Sequence, residues 1–350
     1  MNNMWFRVSS PVAQRVLAGF IFLGAGCVIA APDGATTAPA AAEVAQAPVP
    51  PSGMDFGTRR FDWNQAKEVH PSILRMSFEV TQPRLMKGSC IRVDLADKTL
   101  RFHIDGRAEA WGEPMPECPE RPFVIRTRRQ TVRSFMLEAR KPVAEGGKGL
   151  NMLVAVNSTP WSPWEKPWNH KYADKTGLIV REGELVAPHT GAPSFIVYND
   201  GRVTFDKLTA TDPITNIQTA VSGFGMVMTN GLILANNNPT SLAPRTGFGL
   251  SQDKRYLYLF VVDGRQPDYS MGANTYEVGE WLRYFGADSG MNMDGGGSTT
   301  LFCWDPVPDP ANTDPKSRTT PNLHKLNHQA DNAERSIACP LGIFSIEPSD

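Results

Sequence analysis

Met291-Asn292-Met293-Asp294-Gly295-Gly296-Gly297-Ser298-Thr299-Thr300 is the stretch on which the reading of this chain turns. A short apolar strand runs into an aspartate, three glycines and a serine. Three glycines after a strand free the backbone for positive φ and let it come close to a ligand. Successive N–H groups in such a turn form a nest for an anion, and Asp294 sets a carboxylate at its mouth. The spacing is not a phosphate loop, which needs Lys-Ser/Thr after its last glycine, nor the dinucleotide fingerprint. The bland alternative is a loop that only turns the chain.

Upstream of this stretch lies a helix signature. Asn274 caps it, Glu277 stands three residues on, and Val278, Trp281, Leu282 and Phe285 repeat at helical spacing before Gly286. Before the helix, residues 256–262 form an apolar run that ends at Asp263-Gly264-Arg265. Strand, helix, strand in that order resembles a crossover unit and predicts some parallel pairing. Further back, Ser194-Phe195-Ile196-Val197-Tyr198 and Arg202-Val203-Thr204-Phe205 flank Asn199-Asp200-Gly201, a hairpin signal. Residues 89–95 and 99–104 alternate around Ala96-Asp97-Lys98 and read as another hairpin. Val132, Phe135, Met136 and Ala139 mark an amphipathic helix, with Arg128, Arg129 and Arg133 on its other side. Residues 150–156 suit a buried strand, 304–332 an exposed Pro-rich loop, and 337–346 a closing strand. With 30 Gly and 29 Pro among 350 residues, the chain suits many turns and short strands rather than a helical bundle. The expected fold class is therefore α/β, of mixed α+β type: strand-rich mixed sheets with a few flanking helices. The site falls at strand ends and Gly-rich loops.

Residues 1–31 read as an export signal. Arg7 and Arg15 form the basic flank, 16–31 carries no charge, and Val28-Ile29-Ala30 precedes a cleavage point at Ala31. The uncharged run is shorter than the roughly 20 residues of a spanning helix. Lipid attachment at Cys27 and an uncleaved anchor stay open, so a membrane tether through the N-terminus is one outcome. Leu23 lies four residues before Cys27, where a lipobox prefers three. Residues 32–53 are Ala/Pro-rich and form a linker. Residues 54–350 then make one domain, with 54–120 as a candidate separate lobe. Beyond Cys27, Cys90, Cys118, Cys303 and Cys339 fit an oxidising compartment, periplasm or cell envelope. The favoured disulfides are Cys90–Cys118 and Cys303–Cys339, each bracketing a locally foldable segment; four buried free thiols are the alternative. The charge balance, 35 Lys+Arg against 36 Asp+Glu, gives no bulk field for nucleic acid, which is excluded as a partner.

Several side chains are candidates for chemistry. Arg245 and Arg265 suit forked contacts with phosphate. Asp263 ends a buried strand, where loops commonly carry sites, or else caps a turn before Gly264. Trp161, Trp164 and Trp168 in a Pro-rich loop suit a sugar platform, with packing over a sheet edge as the alternative. His324 and His328 lack acidic or Cys partners at metal spacing and read as solvated. Neither a metal nor another cofactor is expected.

Taken in order, Arg245-Thr246-Gly247-Phe248-Gly249, Leu259-Phe260-Val261-Val262-Asp263-Gly264-Arg265, Gly272 and the 291–300 stretch resemble the phosphodiester glycosidase family. Asn157 stands where that family has the Asn of an Asn-Gly-Gly-aromatic turn. Ser222-Gly223 with Asn230-Gly231, and Arg335, match further segments over residues 70–346. This chain departs at Ser158-Thr159-Pro160-Trp161, which changes the pocket wall and bears on sugar specificity. The resemblance implies a hydrolase that separates a sugar from a phosphodiester at the anomeric carbon, acting on an envelope or exopolysaccharide glycan. Asp294 and Asp263 are then the candidate catalytic carboxylates. Arg245, Thr246, Arg265, Asn157, Gly295, Gly296, Gly297 and Ser298 are candidate substrate and phosphate contacts, and Trp161 and Trp164 a sugar platform. Two other classes remain: a non-catalytic glycan-binding or polysaccharide-assembly protein, and a metal-dependent phosphodiesterase, against which the scattered His residues speak.

Overall fold

The long apolar runs are explained by sheets buried on both faces. The computed structural model describes residues 56, 58–164, 170–308, 320–330 and 333–346. The expected signal peptide with Cys27, the linker 32–53 and Trp168 lie outside the described residues. Among the described residues, four sheets of eight, five, five and three strands stand against two α-helices, so the fold is mostly sheet rather than a balanced α/β arrangement. Along Tyr256–Val262, the side chains of Leu257, Leu259 and Val261 enter a central core. Those of Tyr258, Phe260 and Val262 enter a second core with Trp281, Leu282 and Phe285 of the helix Thr275–Phe285. A strand with an apolar partner on each face reads as a continuous run. Asn151–Asn157 behaves alike: Val154 and Val156 face the central core, while Met152 and Ala155 meet Phe135 and Met136 of the helix Val132–Arg140. The central core thus lies between sheets, with a helix on the outer face of each of two of them.

Every strand ladder among the described residues is antiparallel, which corrects the expectation of parallel pairing. The crossover exists, but Arg245–Leu250 lies between the two strands that the helix Thr275–Phe285 connects, Tyr256–Val262 and Ser289–Asn292. The helix starts as read: the Asn274 side chain accepts from Glu277 N–H at 3.0 Å, and the Glu277 carboxylate accepts from Asn274 N–H at 2.9 Å. The hairpin at Asn199-Asp200-Gly201 is also present, with Val197 opposite Val203.

The other expected hairpin is not one. Met86–Asp94 pairs within the eight-stranded sheet, whereas Leu100–Ile104 pairs with Pro340–Ser345 in a five-stranded sheet. The turn carries the chain from one sheet to the next. It is held by Asp97, which accepts from Thr99 N–H at 2.8 Å and from Ser72 Oγ at 2.5 Å. Residues 54–120 accordingly supply strands to both sheets. Arg129 and Arg133, expected on the solvent side of the first helix, are buried; Arg133 is paired with Glu334.

All four described cysteines are buried free thiols, so neither expected disulfide is present. Cys303 lies opposite Val154, and Cys339 precedes Pro340, which lies opposite Asn157 on the other edge of that strand. Two strand spacings of about 4.8 Å separate them, beyond the roughly 7 Å a disulfide spans. Cys90 belongs to the aromatic core under the second helix, and Cys118 to a satellite cluster with Met115, Ile125 and Tyr172.

Candidate active site

Asp294 follows the strand Ser289–Asn292, and its main chain is fixed from two sides. Its N–H donates to Ser158 O at 2.9 Å, and its carbonyl accepts from the Asn157 side chain at 2.7 Å. The Asn157 side-chain Oδ1 accepts from Thr246 Oγ1 at 2.8 Å and from Thr300 N–H at 3.0 Å. Asn157 and Thr246 are fully buried. They therefore join three strand ends behind the glycine loop and do not line the cleft as substrate contacts.

The loop opens on a cleft of about 670 Å³ lined by Trp161, Trp164, Phe224, Arg245, Arg265, Asp294, the residues 295–298 and Arg335, among others. The glycine amides form less of a nest than expected. Gly295 N–H donates to the Asp294 carboxylate at 2.9 Å, Gly296 N–H to Pro244 O at 2.8 Å, and Ser298 N–H to Gly295 O at 3.2 Å. What the glycines supply is room. A Cβ on Gly296 would lie 3.3 Å from Arg265 Nη1, and one on Gly297 would lie 2.6 Å from Arg335 Cζ. The missing side chains let two guanidiniums close on the loop.

The charge pattern is uneven. Asp294 is the one acidic side chain among the described lining residues, against three arginines. Arg245 bonds neutral partners, Ala273 O at 3.0 Å and Ser241 O at 2.8 Å. Burial, and then the charge of Arg265, lowers its pKa below the usual guanidinium value. Arg265 makes no ion pair among the described residues, and its backbone is left-handed, with φ of 62°. A non-glycine residue held so carries strain that the surrounding structure must offset. Burial pushes the Asp294 carboxyl up to about 6, against the opposing pull of Ser298, Gly295, Arg335 and the Trp161 side chain.

The aromatic residues divide. Trp161 lines the cleft but is buried, with the Arg129 guanidinium 4.1 Å from its ring centroid, and its side chain lowers the pKa of the Asp294 carboxyl. Trp164, 69% exposed, and Phe224, 64% exposed, stand at the cleft. Phe224 follows the Ser222-Gly223 pair, a signal that marks its neighbourhood but not its role.

Asp263 is outside the lining. It is 2% exposed, and its Oδ1 accepts from His328 N–H at 2.8 Å and from Asn327 Nδ2 at 3.3 Å. Burial pushes its carboxyl up to about 6. His328 is held rather than solvated, with Nδ1 2.8 Å from Gln266 Oε1. His324 lies on the short strand Leu323–Lys325 opposite Cys303. Lys175, which the sequence did not mark, is buried with Nζ lacking a hydrogen-bond partner. Burial draws its pKa down to about 8, against the pull of Cys339, Asp105 and Asp294. Among the described residues no three His, Cys, Asp or Glu side chains converge as metal ligands.

The chain is similar to proteins already known. A mouse N-acetylglucosamine-1-phosphodiester alpha-N-acetylglucosaminidase is 24% identical over 238 residues, 59% of this chain. The match spans 42% of that relative's length. The catalytic domain of the zebrafish enzyme of that name, solved auto-inhibited by its pro-peptide, superposes with a TM-score of 0.53 at 19% identity, covering 81% of this chain and 87% of that one. A hypothetical protein from Synechocystis gives 0.51 at 10% identity, covering 79% and 62%. These two structures share the fold. The phosphodiester glycosidase family model matches residues 152–344, which carry Asp294, the three cleft arginines and both exposed aromatic rings, and this chain belongs to that family.

Proposed function

We propose that this protein is an exported hydrolase that cleaves a sugar-1-phosphodiester at the anomeric C–O bond. Water adds to the anomeric carbon, the C–O electron pair leaves with the phosphate, and the products are free sugar and a phosphomonoester. The observation that carries the reading is one carboxylate, Asp294, sharing a cleft with Arg245 and Arg265, neither of which has an acidic partner among the described residues. A phosphodiester carries one negative charge, and the departing monoester gains a second. Two neighbouring guanidiniums without a counter-ion match the charge that develops, which is how binding lowers a barrier rather than only KM. Phosphate is a good leaving group, so the second carboxylate of ordinary glycosidases is not required as acid. Asp294 then steadies the oxocarbenium-like centre or attacks it. Trp164 and Phe224 are the ring-binding walls.

Export rests on the basic, uncharged and small-residue pattern of residues 1–31. An envelope or exopolysaccharide glycan is the substrate class that fits such a location. Product identity tests the reaction. Free sugar with a phosphomonoester supports it; sugar-1-phosphate with an alcohol indicates P–O cleavage, and binding without turnover indicates a glycan-binding protein.

A further inference from the structure

We propose that residues 327–329 form a strut that holds Arg265 and the Asp294 loop in register, with Asp263 as the positioning residue on which it rests. The inference builds on the reading of those two groups given above. Four hydrogen bonds tie the strut to the loop that carries Arg265. Asp263 Oδ1 accepts from His328 N–H and Asn327 Nδ2, Gln266 Nε2 donates to His328 O at 3.0 Å, and Gln266 Oε1 meets His328 Nδ1. Four more tie it to the segment just after Ser298. Thr299 O accepts from Asn327 Nδ2 at 2.9 Å and from Gln329 Nε2 at 3.0 Å. Leu301 N–H donates to Asn327 Oδ1 at 3.0 Å, and Gln329 Nε2 donates to Thr300 Oγ1 at 2.7 Å.

Both ends of the strut terminate in site machinery. Asp263 is two residues before Arg265, and Thr299 follows the last residue of the cleft-lining loop. Arg265 sits in a left-handed backbone that needs surrounding structure to persist. Asp263 also has no route to the substrate, being 2% exposed and outside the cleft. Its buried carboxylate is costly unless hydrogen-bonded, and the bonds it makes are those of the strut.

Three variants and two measurements test this. Asp263→Ala and Asn327→Ala should each lower kcat by about 10²-fold while the protein stays folded, the size expected for a misplacement of about 1 Å. Asp263→Asn keeps an oxygen able to accept both bonds and should recover kcat to within about threefold of wild type. Titration of inorganic phosphate, read calorimetrically, should weaken at least about tenfold in Asp263→Ala as Arg265 loses its place. An Asn variant as impaired as the Ala variant would show that charge, not geometry, matters and overturns the proposal. So does unchanged phosphate affinity in a folded Asp263→Ala or Asn327→Ala protein. If wild type turns over no sugar-1-phosphodiester, the functional reading fails by itself, and the phosphate titration still decides the strut.

Discussion

Asp294 carries two opposed demands. Its carboxyl is pushed up to about 6 from the usual 3.8, first by burial. The folded state therefore prefers the protonated form, and the stability this group contributes is fully present below pH 3.8 and lost as pH rises through 6. The proposed chemistry needs the ionised form. Two outcomes are expected. The kcat/KM profile should fall on the acid side with an apparent pKa near 6. Asp294→Asn should lower kcat on the order of 10³-fold, about 4 kcal/mol, yet melt at a higher temperature than wild type at pH 7.5. A variant that keeps near wild-type kcat removes Asp294 from the reaction, and a lower melting temperature contradicts the electrostatic account. Arg265→Ala is a different case, since its guanidinium makes no ion pair among the described residues. Folding should survive, while kcat/KM falls by about 10²-fold through a lower kcat and a higher KM, because the anion is held in ground and transition states alike. Unchanged kinetics for this variant would leave Arg265 as a solvated rim charge.

At the scale of elements, the glycine loop works through the space it leaves rather than through open amides. Gly297→Ala makes the separate contributions visible. The added methyl meets the Arg335 guanidinium, a flexible group that can swing away, and Gly297 is not among the positive-φ residues. The melt should stay within about 1 °C of wild type, a shift that corresponds to under about 1 kcal/mol, while kcat/KM falls at least about tenfold. Gly296→Ala adds backbone strain at φ of 62° and should cost about 1 kcal/mol of stability as well. If Gly297→Ala is kinetically silent, Arg335 has no part in the reaction. The sequence showed this loop because a strand, an acid and three glycines are contiguous. The helix Thr275–Phe285 was equally plain, since its cap, capping box and apolar face are all local. What failed was local inference about distant partners. Residues 89–104 alternate like a hairpin, yet the first half pairs with the preceding strand Ile73–Val80 on one edge and with Tyr256–Val262 on the other, and the second half pairs with Pro340–Ser345. Residues 327–329 look like solvated loop because their partners, Asp263, Gln266 and Thr299, share no sequence period with them.

The whole molecule decides the cysteines, for the same reason. Bracketing a foldable segment made Cys303 and Cys339 plausible partners, but the sheet inserts Asn151–Asn157 between their strands. Their burial has its own chemical consequence. Burial pushes Cys303 up to about 12 and Cys339 to about 11, and raises Cys90 well above the usual thiol value. The thiolate is the nucleophile, so such groups react slowly even with small reagents. A buried thiol here behaves as a small apolar side chain, and the core needs no cross-link to hold it. Native protein treated with iodoacetamide should therefore keep Cys90, Cys303 and Cys339 unmodified. Denatured, unreduced protein should be alkylated at these three and at Cys118 on peptide mapping. Dithiothreitol should leave the melting temperature unchanged, whereas loss of a native disulfide typically costs about 2–5 kcal/mol. A peptide linking Cys303 to Cys339, or a melt that drops on reduction, would mean that the sheet order around Asn151–Asn157 is not the one in solution.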